Sequence, residues 1–400
     1  MGLESAGAVV AVTERPADTE VNGADAASRP RIETIVLALA CFSVATTSQA
    51  VTQPTETTLG IKQLTYQETQ GSLKRMRVEA WSTHLIAPIG EEWSAEAYLV
   101  TDSISGASPA FYASPVSFSK VTDRRDAGDI KIYRHANRQR FGLGIAYSDE
   151  ADYISQNGSL HYSFSTEDRN QTWDFGVSYS DDTINPVTKS VPEQKKTVSD
   201  YFVGLQQVLT PVDLVQVTLF HSRGRGYFSD PYKLFDRRPD RREANAFSVR
   251  WNHHFATLGA TSRVGTRLYQ DSFGIQSATL TAELALPPIK GFFLTPSFRV
   301  YSQTAADFYA PPDARDSSRP NFPDGFRPGL SRISFDQRLS AFGAGTIGLR
   351  IERALTKSTR ADLKIEHYKQ ASGWSFLESV PAELPDFNAL SVQVGLTYKF

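Results

Sequence analysis

The sequence predicts an all-β fold, a transmembrane antiparallel β-barrel of about 16 strands with short periplasmic turns and long extracellular loops. Three features lead to this prediction. Segments of roughly ten residues alternate large apolar side chains with small or polar ones, the pattern of a strand that has lipid on one face and water on the other. Short turns and long loops alternate along the chain. The last segment, Ala389–Phe400, alternates throughout and ends on an aromatic residue, a type favoured at membrane interfaces.

Composition excludes several other classes of protein. The chain has 400 residues, a formal net charge of −2 and one cysteine, Cys41. No run of about 18 apolar residues occurs, so a helical membrane protein is excluded. The balanced charge gives no basis for nucleic-acid binding. Because the only thiol lies in the N-terminal segment, we expect neither disulfides nor a cysteine-bound metal in the barrel.

The N-terminal part is predicted to be a leader and a targeting segment. Arg29 and Arg31 precede the apolar run Ile35–Ala45, and small residues follow up to Ala50. This order is typical of a secretory signal peptide, with cleavage after Ala50. Lipidation at Cys41 is the less favoured alternative. The predicted organisation is a disordered leader (1–28), a signal peptide (29–50), a short periplasmic segment (51–57) and the barrel (58–400).

The strands are predicted in hairpins, and their large residues are predicted to face lipid. In one segment Phe141 and Leu143 alternate with Gly142 and Gly144, whereas in a soluble sandwich the large residues would fill a shared core. The second segment alternates in the same way, with Met76, Val78 and Ala80 opposite Arg75, Arg77 and Glu79. The predicted strands are 59–68, 73–86, 93–102, 130–136, 140–147, 159–164, 173–179, 198–209, 214–222, 246–255, 260–271, 275–286, 292–303, 337–353, 359–370 and 389–400.

The long connections are predicted to lie on one rim of the barrel, and the short turns on the other. A multi-sheet soluble protein would scatter its long loops over both ends. An even number of strands also places both chain ends on the short-turn side. The predicted long loops are about 103–128, 181–197, 223–243, 303–335 and 371–387.

The final strand resembles the C-terminal assembly signal of bacterial outer-membrane barrels. Leu390, Val392, Val394, Leu396, Tyr398 and Phe400 share one face, and polar or small residues share the other. The residues that carry the resemblance are Gly395, Tyr398 and Phe400. An ordinary edge strand is the alternative for this segment considered alone.

Several inward positions are charged, which requires water or ionic partners inside the barrel. A barrel of about 16 strands encloses a lumen wide enough for an aqueous path unless loops fill it. A lumen closed by arginine–carboxylate pairs and an inward-folded loop is the alternative. The charges predicted to line the lumen are Arg263, Arg267, Asp271, Arg299, Arg350, Asp362 and Glu366.

Four stretches together resemble a bacterial family catalogued as a domain of unknown function, numbered three-five-seven-zero. They are Asp102–Pro109, Ala146–Tyr153, Asp230–Lys233 and Val300–Tyr309. The resemblance covers roughly 58–400. It implies an outer-membrane barrel whose task is not assigned, with flavin transferases and small lipoproteins as gene neighbours. It implies no catalytic residues.

Two outward segments are candidate ligand-binding or gating loops. The first contains Asp102, Ser105, Gly106 and Pro109, although a strand exit that needs Gly106 and Pro109 for a turn is the preferred interpretation. The second contains Asp230, Tyr232 and Lys233. The nearby run from Arg237 to Glu243 could bind phosphate or carboxylate groups, but a solvated loop with internal salt bridges is the preferred interpretation.

The histidines give no metal or catalytic pattern. His253 and His254 are adjacent, so on a strand they point to opposite faces and cannot share an ion. His161 with Asp174, inward on neighbouring strands, is the one conceivable acid–base pair, and it carries the remote alternative of an outer-membrane hydrolase. We expect no enzyme activity, no metal and no cofactor.

The sequence therefore supports two main hypotheses. The first is a porin-like or gated channel for small polar solutes in the outer membrane. The alternative is a plugged barrel that acts as a scaffold or docking partner for a periplasmic redox, flavin or lipoprotein system. Expected partners are outer-membrane lipids, lipopolysaccharide and the barrel assembly machinery, and no nucleic acid.

Overall fold

The barrel predicted from the alternation is present. A computed structural model describes residues 51–70, 73–106, 121–233, 235–313, 316–379 and 386–400, so the leader and the signal peptide lie outside the described residues. Sixteen strands form a closed antiparallel ring in the order β1-β18-β17-β16-β13-β12-β11-β10-β9-β8-β7-β6-β5-β4-β3-β2. The ring strands are β1 Thr58–Gln70, β2 Leu73–Ile89, β3 Trp93–Gly106, β4 Val121–Ala136, β5 Gln139–Asp149, β6 Tyr153–Ser165, β7 Gln171–Ile184, β8 Gln194–Thr210, β9 Asp213–Gly226, β10 Arg241–Phe255, β11 Ala260–Asp271, β12 Gln276–Ala285, β13 Phe292–Gln303, β16 Phe342–Ala354, β17 Thr359–Ala371 and β18 Phe387–Lys399.

Other regular structure in the described residues is short. A hairpin of β14 (Pro312–Asp313) and β15 (Asp316–Pro320) lies in the loop before β16. Helical structure is limited to two 3₁₀ turns, Gln337–Leu339 and Ser372–Trp374. No helix in the described parts of the chain is long and apolar enough to cross a membrane.

The first and last strands close the wall. β1 and β18 pair along their whole length, from Thr58 with Lys399 to Gln70 with Phe387. The backbone of Phe400 then donates to Thr57 O at 3.0 Å. Every described strand of the ring thus has two paired neighbours. The wall therefore has no open edge at which backbone N–H and C=O groups would lack partners.

Large side chains point outward and small or charged ones point inward. On β5, Leu143 and Ile145 are 65% and 69% exposed, whereas Gly142 and Gly144 between them are buried. A Cβ on Gly142 would lie 2.6 Å from the ring of Tyr133, which fills the inner side. Glycine on the inward face therefore makes room for a large side chain of the adjacent strand.

In one part of the wall, the large side chains do not point outward as predicted. Met76 and Val78 point inward and pack with Tyr66, Phe387 and Ala389, while Arg77 is more than half exposed on the outside. Val78 pairs with Tyr66 in regular register and shares the inward face with Ser82 and His84. The alternation therefore keeps its phase along this part of β2, and near the long-loop rim the interior is filled by apolar side chains instead of polar ones. The prediction that the large residues of this segment face lipid was therefore wrong for Met76 and Val78.

The loop asymmetry is confirmed, although the connections 185–193, 227–240 and 372–386 are shorter than predicted and the connection 304–341 is longer. The described parts of the connections 185–193, 227–240, 304–341 and 372–386 lie on one rim, and turns such as 137–138 and 211–212 lie on the other. The predicted loop at about 103–128 falls largely outside the described residues. The strands continue past their apolar parts because backbone pairing does not require apolar side chains. One predicted strand start was too early, since 337–339 form a 3₁₀ turn and β16 begins at Phe342.

The segment before β1 is fixed at the short-turn rim. Gln53 Nε2 donates to Gly90 O and Trp93 O, each at 2.8 Å. His135 Nδ1 is 2.8 Å from Val51 O, and Val51 is buried. These contacts hold residues 51–57 against the turn between β2 and β3.

Candidate functional site

The charges predicted to line the lumen all stand on the inward face. Strand register places Arg263, Arg267 and Asp271 on one face of β11, with Arg299 on the same face of β13. Arg350, Asp362 and Glu366 lie inward on β16 and β17. The period of two residues along a strand was enough to place all of them.

Ion pairs follow the inner wall. Lys62 Nζ is 3.6 Å from Asp362, and Arg350 Nη2 is 3.3 Å from Glu352. Elsewhere Arg263 Nη1 is 3.3 Å from Glu283. Each of these pairs joins residues of one strand or of strands no more than two apart in the ring.

One quarter of the wall has an excess of arginine. The inward faces of β10–β13, which we call the arginine-rich wall, carry five arginines and two carboxylates. Strands β3–β5 lie on the opposite side of the ring from this wall. Their inward faces carry four carboxylates and three basic residues. The first set is Arg242, Arg250, Arg263, Arg267 and Arg299 with Asp271 and Glu283, and the second is Glu96, Asp102, Asp123 and Asp129 with Arg125, Lys131 and Arg140.

Two arginines of this wall lack a carboxylate partner among the described residues. The guanidinium of Arg267 lies 5.9 Å from the Tyr269 ring centroid, and that of Arg299 lies 5.9 Å from the Tyr301 ring centroid. Arg267 is exposed to the lumen. Such side chains keep donors available for a carboxylate or phosphate group.

The long-loop rim of the barrel is called the outer rim from here on. Two long loops on this rim are joined by buried ion pairs. We call 227–240 and 304–341 the loop assembly. Arg238 donates to Asp236 at 2.8 Å within its loop and to Asp336 of the other loop at 2.9 Å. Arg338 donates to Asp230 at 3.2 Å and also to Asp336. Backbone bonds between Arg237 and Ile333 run beside these pairs.

The ionisation of this cluster follows from its charges. Burial alone would raise the pKa of Asp336, but Arg338, Lys233 and Arg238 together hold that pKa well below its usual value. Lys233 Nζ lies 3.5 Å from Asp336. The three carboxylates of Asp230, Asp236 and Asp336 thus meet three cations, and the cluster neutralises its own charge.

The structure places the second set of candidate loop residues in or beside this cluster. Asp230 and Lys233 belong to it. Tyr232 is buried, donates its hydroxyl hydrogen to Asp152, and accepts from Val187 N at 3.1 Å. Arg238, expected in a solvated run, has a side chain only 7% exposed. That interpretation of the run was therefore wrong at Arg238, because its partners Asp236 and Asp336 are fully buried.

The first set of candidate loop residues is divided by the structure. Asp102 is buried and accepts from Arg125 Nε and Nη2 at 2.8 and 2.6 Å. Ser105 and Gly106 end β3 and pair with Thr122 and Val121, so the backbone there is strand and not a turn. Pro109 lies outside the described residues.

His161 and Asp174 do not form an acid–base pair. Asp174 accepts from Ser163 and lies 3.9 Å from Arg140. His161 packs against the ring of Phe202 at 5.5 Å, and its buried Nδ1 has no hydrogen-bond partner among the described residues. The geometry offers no proton relay between the two residues.

The three residues of the C-terminal signal occupy distinct positions. Tyr398 and Phe400 are exposed on the outside, with their ring centroids 4.8 Å apart. Gly395 faces inward, and a Cβ there would clash with the Asp362 carboxylate. Asp362 can approach Lys62 because position 395 has no side chain.

Sequence reasoning missed the residues that join separate loops. Asp236, Asp336 and Arg338 were not singled out, although Asp336 and Arg338 lie in one short polar stretch. Asp123, Glu150 and Asp152, which lie close together on the rim, were also missed. A possible signal was the acidic run at Asp149–Asp152, directly after an apolar strand.

The closed sixteen-stranded wall, its apolar outer face and its charged lumen define a β-barrel of the outer-membrane class. The chain belongs to the family described as "Protein of unknown function (DUF3570)", whose model matches residues 112–192 and 188–391. This confirms the family resemblance seen in the sequence. No curated protein matches the sequence.

Several solved structures share the fold at low identity. A bacterial polysaccharide outer membrane secretin has a TM-score of 0.48 and 10% identity, with 86% of this chain and 98% of that chain covered. The outer membrane protein opdK from Pseudomonas aeruginosa has a TM-score of 0.44 and 7% identity, covering 86% and 99%. OccK2 (OpdF) from Pseudomonas aeruginosa, in complex with glucuronate, has a TM-score of 0.43 and 8% identity, covering 86% and 96%.

Proposed function

We propose that this protein is a porin-like channel of the outer membrane that passes small polar solutes and favours anionic ones. The observation that carries the proposal is the arginine-rich wall. Ion pairs along a wall leave the axis free, whereas pairs across a lumen would close it. Basic residues that line a pore attract anions and raise their local concentration.

Arg267 and Arg299 are the residues that give this wall its preference. They stand inward on β11 and β13, two places apart in the ring, and neither has a carboxylate partner in the described chain. Thr279 and Thr281 of β12, between them, add hydroxyl groups on the same face. On this wall Asp271 and Glu283 are paired with other arginines, so an anion meets the two guanidinium groups of Arg267 and Arg299 without a carboxylate bound to either.

Planar-bilayer recording tests the channel and its preference together. Purified folded protein should give stepwise conductance, and a potassium chloride gradient should show anion preference. Arg267→Ala with Arg299→Ala should lower the anion-to-cation permeability ratio several-fold. Arg124→Ala is the matched control, because Arg124 is exposed on the outer face of β4.

Two results would contradict the proposal. Flat current traces from correctly folded protein would rule out the channel. Conductance with an unchanged permeability ratio in the double variant would leave a channel but remove the role assigned to the arginine-rich wall.

The outer membrane is the proposed location, and the apolar outer face supports it. Leu143, Ile145 and Ile347 are among many large apolar residues exposed on the outside, more than a soluble protein carries in one band. Lipids and lipopolysaccharide would cover this face, and the barrel assembly machinery would insert it. Fractionation should recover the protein with outer membranes in a form whose gel mobility changes on heating.

A plugged barrel that docks a periplasmic partner is the second candidate. The loop assembly favours it, because its buried ion pairs make a fixed structure at the mouth. A pull-down from solubilised membranes would recover a stoichiometric partner, such as a lipoprotein or a flavin-bearing protein, if this candidate were correct. A channel requires no such partner.

A further inference from the structure

A second group of carboxylates lies on the outer rim, outside the loop assembly. Asp123 stands near the outer end of β4, and Glu150 and Asp152 follow β5 in the loop before β6. One carboxylate oxygen from each lies within 4.8 Å of the other two. The three residues, which we call the rim cluster, are only 9%, 7% and 2% exposed.

The arginine that faces the rim cluster is hydrogen-bonded to another carboxylate. Arg125 faces it, but the Arg125 guanidinium donates two hydrogen bonds to Asp102. Asp123 Oδ1 accepts from the backbone N of Arg124 at 2.8 Å. The hydrogen bonds of this guanidinium therefore go to Asp102 and not to the rim cluster.

Two of these carboxylates have unfilled hydrogen-bonding capacity. Among the described residues, the Glu150 carboxylate has no hydrogen-bond or ion-pair partner, although the side chain is more than nine-tenths buried. Asp152 uses one oxygen to accept from Tyr232, and its buried Oδ1 has no partner in the described chain. Buried polar atoms are normally satisfied, so the orphaned Asp152 oxygen points to a missing ligand.

We propose that the rim cluster is a binding site for a divalent cation, and for Ca²⁺ in particular. Its ligands are carboxylate oxygens without nitrogen or sulfur, the set that hard cations prefer. Oxygens on opposite sides of a Ca²⁺ ion lie roughly 4.6–5.2 Å apart, twice the Ca–O distance, so the spacing in the cluster fits. Water or neighbouring carbonyl groups would complete the shell.

The bound cation would fasten separate parts of the rim. It joins the end of β4 to the loop between β5 and β6. Asp152 is in turn hydrogen-bonded to Tyr232, which contacts the loop between β7 and β8 through Val187 N. Cation binding would therefore stabilise the loop assembly, a role that does not depend on what crosses the lumen.

Titration of the protein with Ca²⁺ tests the site. The protein is refolded in detergent without lipopolysaccharide, because lipopolysaccharide itself binds divalent cations. Calorimetry with calcium chloride, and terbium luminescence excited through tyrosine, should show one site per chain with a dissociation constant of about 10⁻⁴–10⁻³ M or tighter. Mg²⁺ should compete more weakly.

Variants locate the binding. Glu150→Gln and Asp152→Asn should each weaken Ca²⁺ binding at least tenfold, while the heat-modifiable gel mobility shows that the barrel is still folded. Asp149→Asn is the matched control, because Asp149 is the neighbouring carboxylate but lies exposed on the outer face. Ca²⁺ should also protect the 227–240 loop from protease in the parent protein and not in Glu150→Gln.

The weakest dissociation constant expected is about 10⁻³ M. The proposal fails if folded protein binds neither Ca²⁺ nor Tb³⁺ at an ion concentration tenfold higher than that value. It also fails if Glu150→Gln and Asp149→Asn bind Ca²⁺ equally, because the ion would then lie elsewhere. Neither failure affects the channel proposal, which is tested by conductance.

Discussion

The outer rim holds two buried groups of carboxylates that differ in how their charge is balanced. In the loop assembly, Asp230, Asp236 and Asp336 meet Lys233, Arg238 and Arg338. In the rim cluster, the carboxylates of Asp123, Glu150 and Asp152 lie together, while the Arg125 guanidinium is paired with Asp102. Tyr232 connects the two groups through Asp152.

This difference separates a structural cluster from a candidate binding site. Burial of a charge is unfavourable unless a partner and hydrogen bonds compensate for it. The loop assembly contains its partners, so it is complete without a ligand. In the rim cluster, a buried Asp152 oxygen has no partner among the described residues, and a proton or a cation from outside would supply one. Burial of ionised groups alone does not identify a site, whereas uncompensated burial does.

The largest expected effect comes from removing a cation of the loop assembly. Arg238→Met leaves Asp236 and Asp336, both fully buried, without one of their partners. Breaking a buried pair in this way costs about 3–5 kcal/mol. Hydrogen exchange should therefore show faster opening of 227–240, while the strands remain protected.

The control for this experiment is Arg332→Met. Arg332 lies in the same loop assembly but is exposed. Its substitution should change local opening by no more than about 0.5 kcal/mol. Equal exchange in the two variants would show that the buried pairs do not hold the loops together.

A somewhat smaller effect is expected from pH in the metal-free protein. Burial raises the pKa of Glu150 to about 8, with Arg125 opposing and Asp123, Asp152 and Asp102 adding to the shift. Burial likewise raises the pKa of Asp152 to about 6, against the Tyr232 hydrogen bond. A carboxyl group whose folded pKa is raised favours folding in its protonated form.

The contribution of Glu150 and Asp152 to the stability of the loops should therefore be greatest below about pH 4.5 and should fall as the pH rises towards 8. The expected loss is on the order of 2–4 kcal/mol, read from hydrogen exchange in EDTA. Glu150→Gln should remove much of the slope, and Asp149→Asn should not. Saturating Ca²⁺ should abolish or reverse the slope, because the metal binds the deprotonated carboxylates. A slope that is unchanged in Glu150→Gln would assign it to other groups.

The wall could be predicted from sequence because its physical signal is local. Alternation with a period of two residues fixes which face each residue occupies, so Arg267 and Arg299 could be placed inward without coordinates. The same reasoning failed at Met76 and Val78, because the interior near the long-loop rim is packed with apolar side chains and the sequence pattern does not show which face is the inner one there. The predicted strands were also too short at their ends, because the backbones of polar residues pair as well as those of apolar residues.

The rim groups could not be predicted because their members are distant in sequence. Arg338 meets Asp230 more than a hundred residues away, and no spacing rule connects two loops of a barrel. The sequence patterns that indicate metal sites most clearly are spacings of histidine and cysteine, whereas the rim cluster consists of carboxylates. Its acidic character was visible at Asp149–Asp152, but burial, which gives the carboxylates their significance, appears only in the fold.

The smallest expected effect tests the link between the two groups. Tyr232→Phe removes the hydroxyl group that donates to Asp152 and accepts from Val187 N. Loss of these bonds should cost about 1–2 kcal/mol in local opening of the loop between β9 and β10. Tyr179→Phe, on the exposed outer face, is the control and should have no effect. Ca²⁺ affinity should change little in Tyr232→Phe, since the three carboxylates remain, but Ca²⁺ should no longer protect 227–240 from protease. Undiminished protection would mean that the cation stabilises those loops by a route other than Tyr232.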